Sequence, residues 1–102
     1  MKTNKFNSFS EFYPFYLSEH KKKFTKIYHV IGSILVISII LFSIFSRNYN
    51  YLYLTPLAGY SFAWFSHFFI EKNKPATFKY PLYSFIGDWI MFKDILIGRI
   101  KL

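Results

Sequence analysis

The sequence predicts an all-α membrane protein, a two-span helical hairpin with an interfacial helix on either side, built as a single membrane domain over residues 1–102. Three observations predict it. Of the 102 residues, 53% are hydrophobic and 25% aromatic, more apolar area than so short a chain can bury, so the excess faces something other than water. Two stretches, 27–46 and 48–70, contain no charged side chain. The basic residues behind the net charge of +8 gather on the outer flanks of those stretches. The aromatic content excludes a disordered tail. The absence of cysteine excludes a disulfide-stapled scaffold and leaves the redox compartment open.

The first element is an interfacial helix over about residues 9–22, entered through Ser8 with Glu11 three residues on as a capping-box partner. Its end carries Lys21, Lys22 and Lys23, where cations suit the helix dipole. The first span, about 27–46, reads IYHVIGSILVISIILFSIFS; as a helix it is roughly 30 Å long, the thickness of a bilayer core. It starts too late for a signal peptide, and no small-residue cleavage site follows. The second span, about 49–70, is more polar and contains Pro56 and Gly59, both tolerated in membrane helices when neighbours satisfy the backbone. The stretch EKNKPATFKYP is a loop by its prolines, asparagine and charges. The last element, about 82–98, spaces Leu82, Phe85, Ile86, Trp89 and Leu96 near the helical period. Its Asp88, Lys93 and Asp94 make it an interfacial helix rather than a span.

Charge sets the orientation. Lys2, Lys5, Lys21, Lys22, Lys23 and Lys26 precede the first span, Arg47 sits alone in the turn, and Lys72, Lys74, Lys79, Lys93, Arg99 and Lys101 follow the second. The positive-inside rule then makes both termini cytoplasmic, in the inner membrane of a bacterium or the endoplasmic reticulum of a eukaryote. Tyr49, Tyr51 and Tyr53 suit the outer aromatic belt. The charge is accounted for by topology and anionic lipid headgroups, and no nucleic-acid partner is expected. A homo-oligomer would bury the polar faces, with no copy number set by the sequence.

The three histidines carry the chemical signal. His29 and His67 each lie 19 residues from position 48, the middle of the turn, so a hairpin brings them to one depth. His20 lies before the first span on the same side. Glu71 follows His67 by four residues, about 40° around an α-helix, and shares its face. Three imidazoles and a carboxylate at one level suit iron, whose non-haem oxygenase sites use two histidines and a carboxylate with open positions; composition does not separate iron from zinc. His20 and His29 are nine residues apart, about 180° on a continuous helix, so a shared metal requires a break around residues 21–25. For any single histidine, an interfacial imidazole satisfied by a carbonyl or water is the simpler reading, and the coincidence of three shifts the balance. Asp88 suits either a second carboxylate ligand or a partner orienting an imidazole. No glycine-rich phosphate loop, nucleophile elbow or cysteine nucleophile is present. The stripe Tyr60, Trp64 and Phe68 reads as helix packing.

The stretches EFYPFYLSEHKKKFTKIYHVIG and GYSFAWFSHFFIEKNKPATFKYPLYSFIGDWIMF resemble the Mpo-like family of small membrane proteins, typified by a fungal 2-hydroxy-fatty-acid dioxygenase and formerly a domain of unknown function. The pattern rests on Tyr16, His20, His29 and Gly32, then Gly59, Trp64, His67, Glu71, Asn73, the run from Pro75 to Phe78, Pro81, Ser84, Asp88 and Met91. It covers about residues 10–98. The resemblance implies an iron(II)-dependent dioxygenase that shortens a 2-hydroxy fatty acid by one carbon, consuming O2, in sphingoid-base breakdown. It puts the iron ligands on His20, His29 and His67. Glu71 and Asp88 match its acidic positions and are taken as catalytic carboxylates, with no division of roles between them. An iron centre at headgroup depth would meet the α-carbon of a fatty acid, with Lys21, Lys22, Lys23, Lys79 or Arg99 holding the carboxylate. The rivals are a metal-dependent lipid hydrolase and a non-enzymatic membrane protein binding lipid or a partner helix.

Overall fold

The computed structural model describes residues 6–102, so Lys2 and Lys5 of the N-terminal basic flank lie outside it. Helix α1 spans Phe9–Ser18. Ser8 caps it as expected, its hydroxyl accepting from the Glu11 amide at 3.3 Å, while the Glu11 carboxylate reaches back to the Asn7 amide at 3.1 Å. Phe12 and Tyr16, one turn apart, bury against Met91 and Ala76. The helix ends at Ser18, four residues before the expected boundary, and the chain turns through residues 19–22. This is the break that the nine-residue spacing of His20 and His29 demands.

Helix α2 spans Lys23–Ser46. Its 24 residues give a rod of about 36 Å, and among the described residues it is the one helix long and apolar enough to cross a membrane. Its buried positions, Thr25, His29, Gly32, Ser33, Val36 and Ser43, form one stripe, and most of its isoleucines, leucines and phenylalanines stay exposed. Arg47 closes the helix in the left-handed conformation (φ 58°) and its amide returns to the Ile44 carbonyl.

The second expected span is not one regular α-helix. The path from Tyr49 to Glu71 is helical throughout but changes type twice: a 3-10 stretch at Tyr49–Leu54, helix α3 at Thr55–Phe65, and a π-helical stretch at Ser66–Glu71. Pro56 accounts for the first change, since a residue without an amide proton fits the first turn of an α-helix and not its interior. At 11 residues, α3 alone covers about 17 Å. It nevertheless runs antiparallel to α2: Tyr28 meets Phe62 and Phe65, Gly32 meets Gly59, and Phe42 meets Tyr51. At the crossing a Cβ on Gly32 would stand 3.2 Å from the Gly59 carbonyl oxygen. Small residues there let the two backbones touch.

A 3-10 turn at Ala76–Phe78 leads to helix α4, Pro81–Leu96, close to the expected 82–98, with Pro81 in its first turn. Ser84, Gly87, Met91 and Asp94 are its buried face. A Cβ on Gly87 would stand 3.1 Å from the Tyr16 ring, so glycine lets α4 lie directly against α1. Asp94 accepts a hydrogen bond from the Tyr13 hydroxyl at 2.8 Å. Aromatic rings from α1 and α4 thus roof one end of the α2–α3 pair.

Candidate metal centre

Three imidazoles meet under that roof, each delivered by a different local structure. His20 comes from the joint after α1, His29 from the second turn of α2, and His67 from the π-helical stretch, whose wide turn is typical of functional sites. All three are buried, with 2%, 7% and 2% exposure. Their ligand atoms lie within 4.8 Å of one another. His20 Nε2 is 3.1 Å from His29 Nε2 and 3.0 Å from His67 Nε2.

The opposite nitrogens decide what those contacts are. His20 Nδ1 lies 2.6 Å from the Tyr16 carbonyl oxygen, His29 Nδ1 3.0 Å from that of Thr25, and His67 Nδ1 2.7 Å from Asn73 Oδ1. The Asn73 amide nitrogen donates to the Glu19 carbonyl at 3.2 Å, which leaves its oxygen facing the ring. A carbonyl oxygen only accepts, so each Nδ1 carries the proton, and a neutral imidazole then has a bare lone pair at Nε2. Three bare lone pairs therefore face one another with no proton between them. Lone pairs at 3.0–3.1 Å repel unless a cation sits among them. The donor set fits a divalent metal, with a backbone or amide acceptor fixing every ligating ring.

The electrostatics around the rings agree. Burial, helped by its imidazole neighbours, holds His20 well below its usual range, so it stays neutral and ready to bind metal. The Tyr16 ring stacks on His20 with centroids 4.2 Å apart, and its hydroxyl donates to Asp88 Oδ1. Burial pushes the Asp88 carboxyl up to about 7. Burial and the Asp88 charge together hold the Tyr16 hydroxyl well above its ordinary value.

Two cavities adjoin the imidazoles. A chamber of about 10 Å³ is bounded by the three histidines together with Trp64, Ser84 and Asp88, room for about one water. Trp64 Nε1 and Ser84 Oγ are buried there without a hydrogen-bond partner. A cleft of about 180 Å³ shares His29, Ala63 and Asp88 with the chamber and extends past Val36 and Gly59 to Thr55.

The other expected residues fare unevenly. Asp88 joins the histidines, but it meets them through Tyr16 rather than by orienting an imidazole. Glu71 stands apart from the imidazole cluster, and its carboxylate accepts from the Lys22 backbone amide, bracing the joint at the start of α2. The α-helical period placed it beside His67 without reckoning on that open amide. Lys21, Lys22, Lys23, Lys79 and Arg99 line neither cavity; all five are exposed, and Lys22 Nζ donates to the Ile70 carbonyl at 3.0 Å. The cations lie on the exposed surface, whereas both cavities open between helices. Sequence reasoning assigned no site contact to Tyr16 and Asn73, which touch His20 and His67, or to Trp64 and Ser84, which border the chamber. Tyr16 stands four residues before His20, a spacing that signals one helical face, whereas nothing local marks Asn73.

No curated protein and no solved structure matches the chain. A family model described as 2-hydroxy-palmitic acid dioxygenase Mpo1-like matches residues 6–100. With nearly its whole length matched on a fold that brings the three pattern histidines together, the chain belongs to the Mpo1-like family.

Proposed function

We propose that this protein is an iron(II)-dependent dioxygenase that shortens 2-hydroxy fatty acids by one carbon, with His20, His29 and His67 as the iron ligands. The observation that carries the reading is the buried convergence of three imidazoles, each with its Nδ1 against an oxygen acceptor, which leaves Nε2 as the atom free to ligate. The family's description supports the substrate class and the use of O2. Bound iron would supply the redox chemistry and the open positions that O2 and a chelating substrate need. The protein's own groups hold the imidazoles neutral, exclude water, and keep an exchangeable proton on the Tyr16–Asp88 pair beside the chamber. The same reading has α2 and the helical path 49–71 crossing the bilayer as a hairpin, with both termini cytoplasmic and the imidazoles near the inner headgroups. Exposed apolar faces on both helices support it.

The test is anaerobic purification, iron(II) loading, and mass spectrometry of 2-hydroxypalmitate incubated with and without O2. An acid one carbon shorter, formed only with O2, is expected. Its absence from metal-loaded protein contradicts the assignment, and release of a lipid head group without O2 consumption would point to a hydrolase using the same ligands.

A further inference from the structure

We propose that the cleft between α2, α3 and α4 receives one acyl chain, whose polar head enters the adjoining chamber and takes its hydrogen bonds from Trp64 and Ser84, and that Val36 and Thr55 govern how long a chain fits. The inference rests on the proposed reaction and names the residues that would hold its substrate. Continuity is the first argument. His29, Ala63 and Asp88 line both spaces, so a molecule can lie across that junction with its head at the imidazoles.

Size and direction divide the two ends. The chamber's 10 Å³ suits a small polar group, and the cleft's 180 Å³ is over ten times larger. Along α2 the wall runs from His29 to Val36, and along α3 it returns from Ala63 to Thr55, a course of about 10–12 Å at the helical rise. Gly59 keeps this course open, since a Cβ there would come 3.3 Å from Val36 Cγ2.

Polarity assigns the head. The cleft has no charged side chain except Asp88 at the junction, and no lysine or arginine borders either space. A carboxylate or hydroxyl in the chamber therefore has neutral donors to meet. Trp64 Nε1 and Ser84 Oγ are buried there with nothing to donate to, an unfavourable state that an oxygen-rich head would relieve.

The experiment compares iron-loaded protein in lipid nanodiscs acting on 2-hydroxyoctanoate and 2-hydroxypalmitate. Val36→Phe and Thr55→Trp should each lower kcat/KM for the long acid at least tenfold relative to the short one, whose continued turnover shows that the variant is folded. Equal effects on both acids, or none, overturn the chain assignment. Trp64→Phe and Ser84→Ala should raise KM at least fivefold for both acids at unchanged iron per chain, with Ser84→Thr restoring it; an unchanged KM overturns the head assignment. Should the wild type turn over neither acid, the proposed reaction falls while the cleft is judged separately. In metal-free Trp64→Phe protein, Trp89, which lines the cleft, is then the only indole. Palmitate with a mid-chain nitroxide should quench it saturably, and less after Val36→Phe. Unsaturable quenching, identical in both proteins, overturns the cleft as an acyl site.

Discussion

Asn73 shows how much of the candidate centre depends on a residue outside the imidazole cluster. Its side-chain oxygen keeps the proton on His67 Nδ1, and its amide nitrogen is tied to the Glu19 carbonyl. Asn73→Ala should weaken metal binding about 10–100-fold with the fold retained, measured by titration against a chelator; unchanged affinity contradicts this role. Asp88 gives a pH signature. Its carboxyl is raised from the usual 3.8 to about 7 by burial, so the native state favours the proton. That stabilisation is complete below about pH 4 and is lost as pH rises through 7. His20, lowered by burial, runs the opposite way, losing stability as pH falls below 6.5. Comparison with Asp88→Asn isolates the carboxyl: the melting temperature of the metal-free wild type, relative to the variant, should fall between pH 5 and pH 8. A constant difference would contradict it. The histidines were legible because counting from the turn needs only a hairpin. The work of Asn73 and Tyr16 was not, because a buried amide or phenol takes its role from neighbours distant in sequence, and the bond of Glu71 to an amide 49 residues away is equally invisible to local spacing.

Element by element, the site is made by departures from regular helix. The joint at 19–22 turns His20 to face His29, and the π-helical stretch turns His67 inward. The first could be anticipated from a nine-residue spacing; the second could not, since no residue preference distinguishes a π turn from the α-helix the apolar pattern implies. Pro56 is tolerable within a membrane helix by its sequence context, whereas in the fold it stands in the first turn of a new helix. Packing then locks these pieces. Phe12 is fully buried between α1 and α4, and Phe12→Ala should cost about 3–5 kcal/mol, with metal retention falling as His20 loses its support. Chemical unfolding in mild detergent measures the first and iron content the second. Gly32→Leu forces a side chain against the Gly59 backbone and should destabilise by about 1–3 kcal/mol, more than Gly32→Ala; equal stability of the two variants would contradict the close crossing.

For the whole molecule, the excess of aromatic and apolar residues divides into an exposed apolar rod, a roof over the imidazoles, and the wall of a cleft. The all-helical architecture was legible because apolar runs and charged flanks report it directly. The cleft was not, since a void between helices depends on which small residues, Gly59 and Ala63 among them, face one another. The proposed topology predicts that Tyr53→Cys, in a chain without cysteine, reacts with an impermeant maleimide only from outside and Gly98→Cys only after the membrane is opened. The reverse pattern, or labelling of both from one side, contradicts the hairpin. If the three imidazole nitrogens hold one ion, iron bound per chain after anaerobic loading and desalting reports it, for the wild type and for His20→Ala, His29→Ala and His67→Ala. One iron per wild-type chain and less than a tenth of that in each variant are expected; substoichiometric iron in the folded wild type, or equal iron in the variants, would rule the shared ion out.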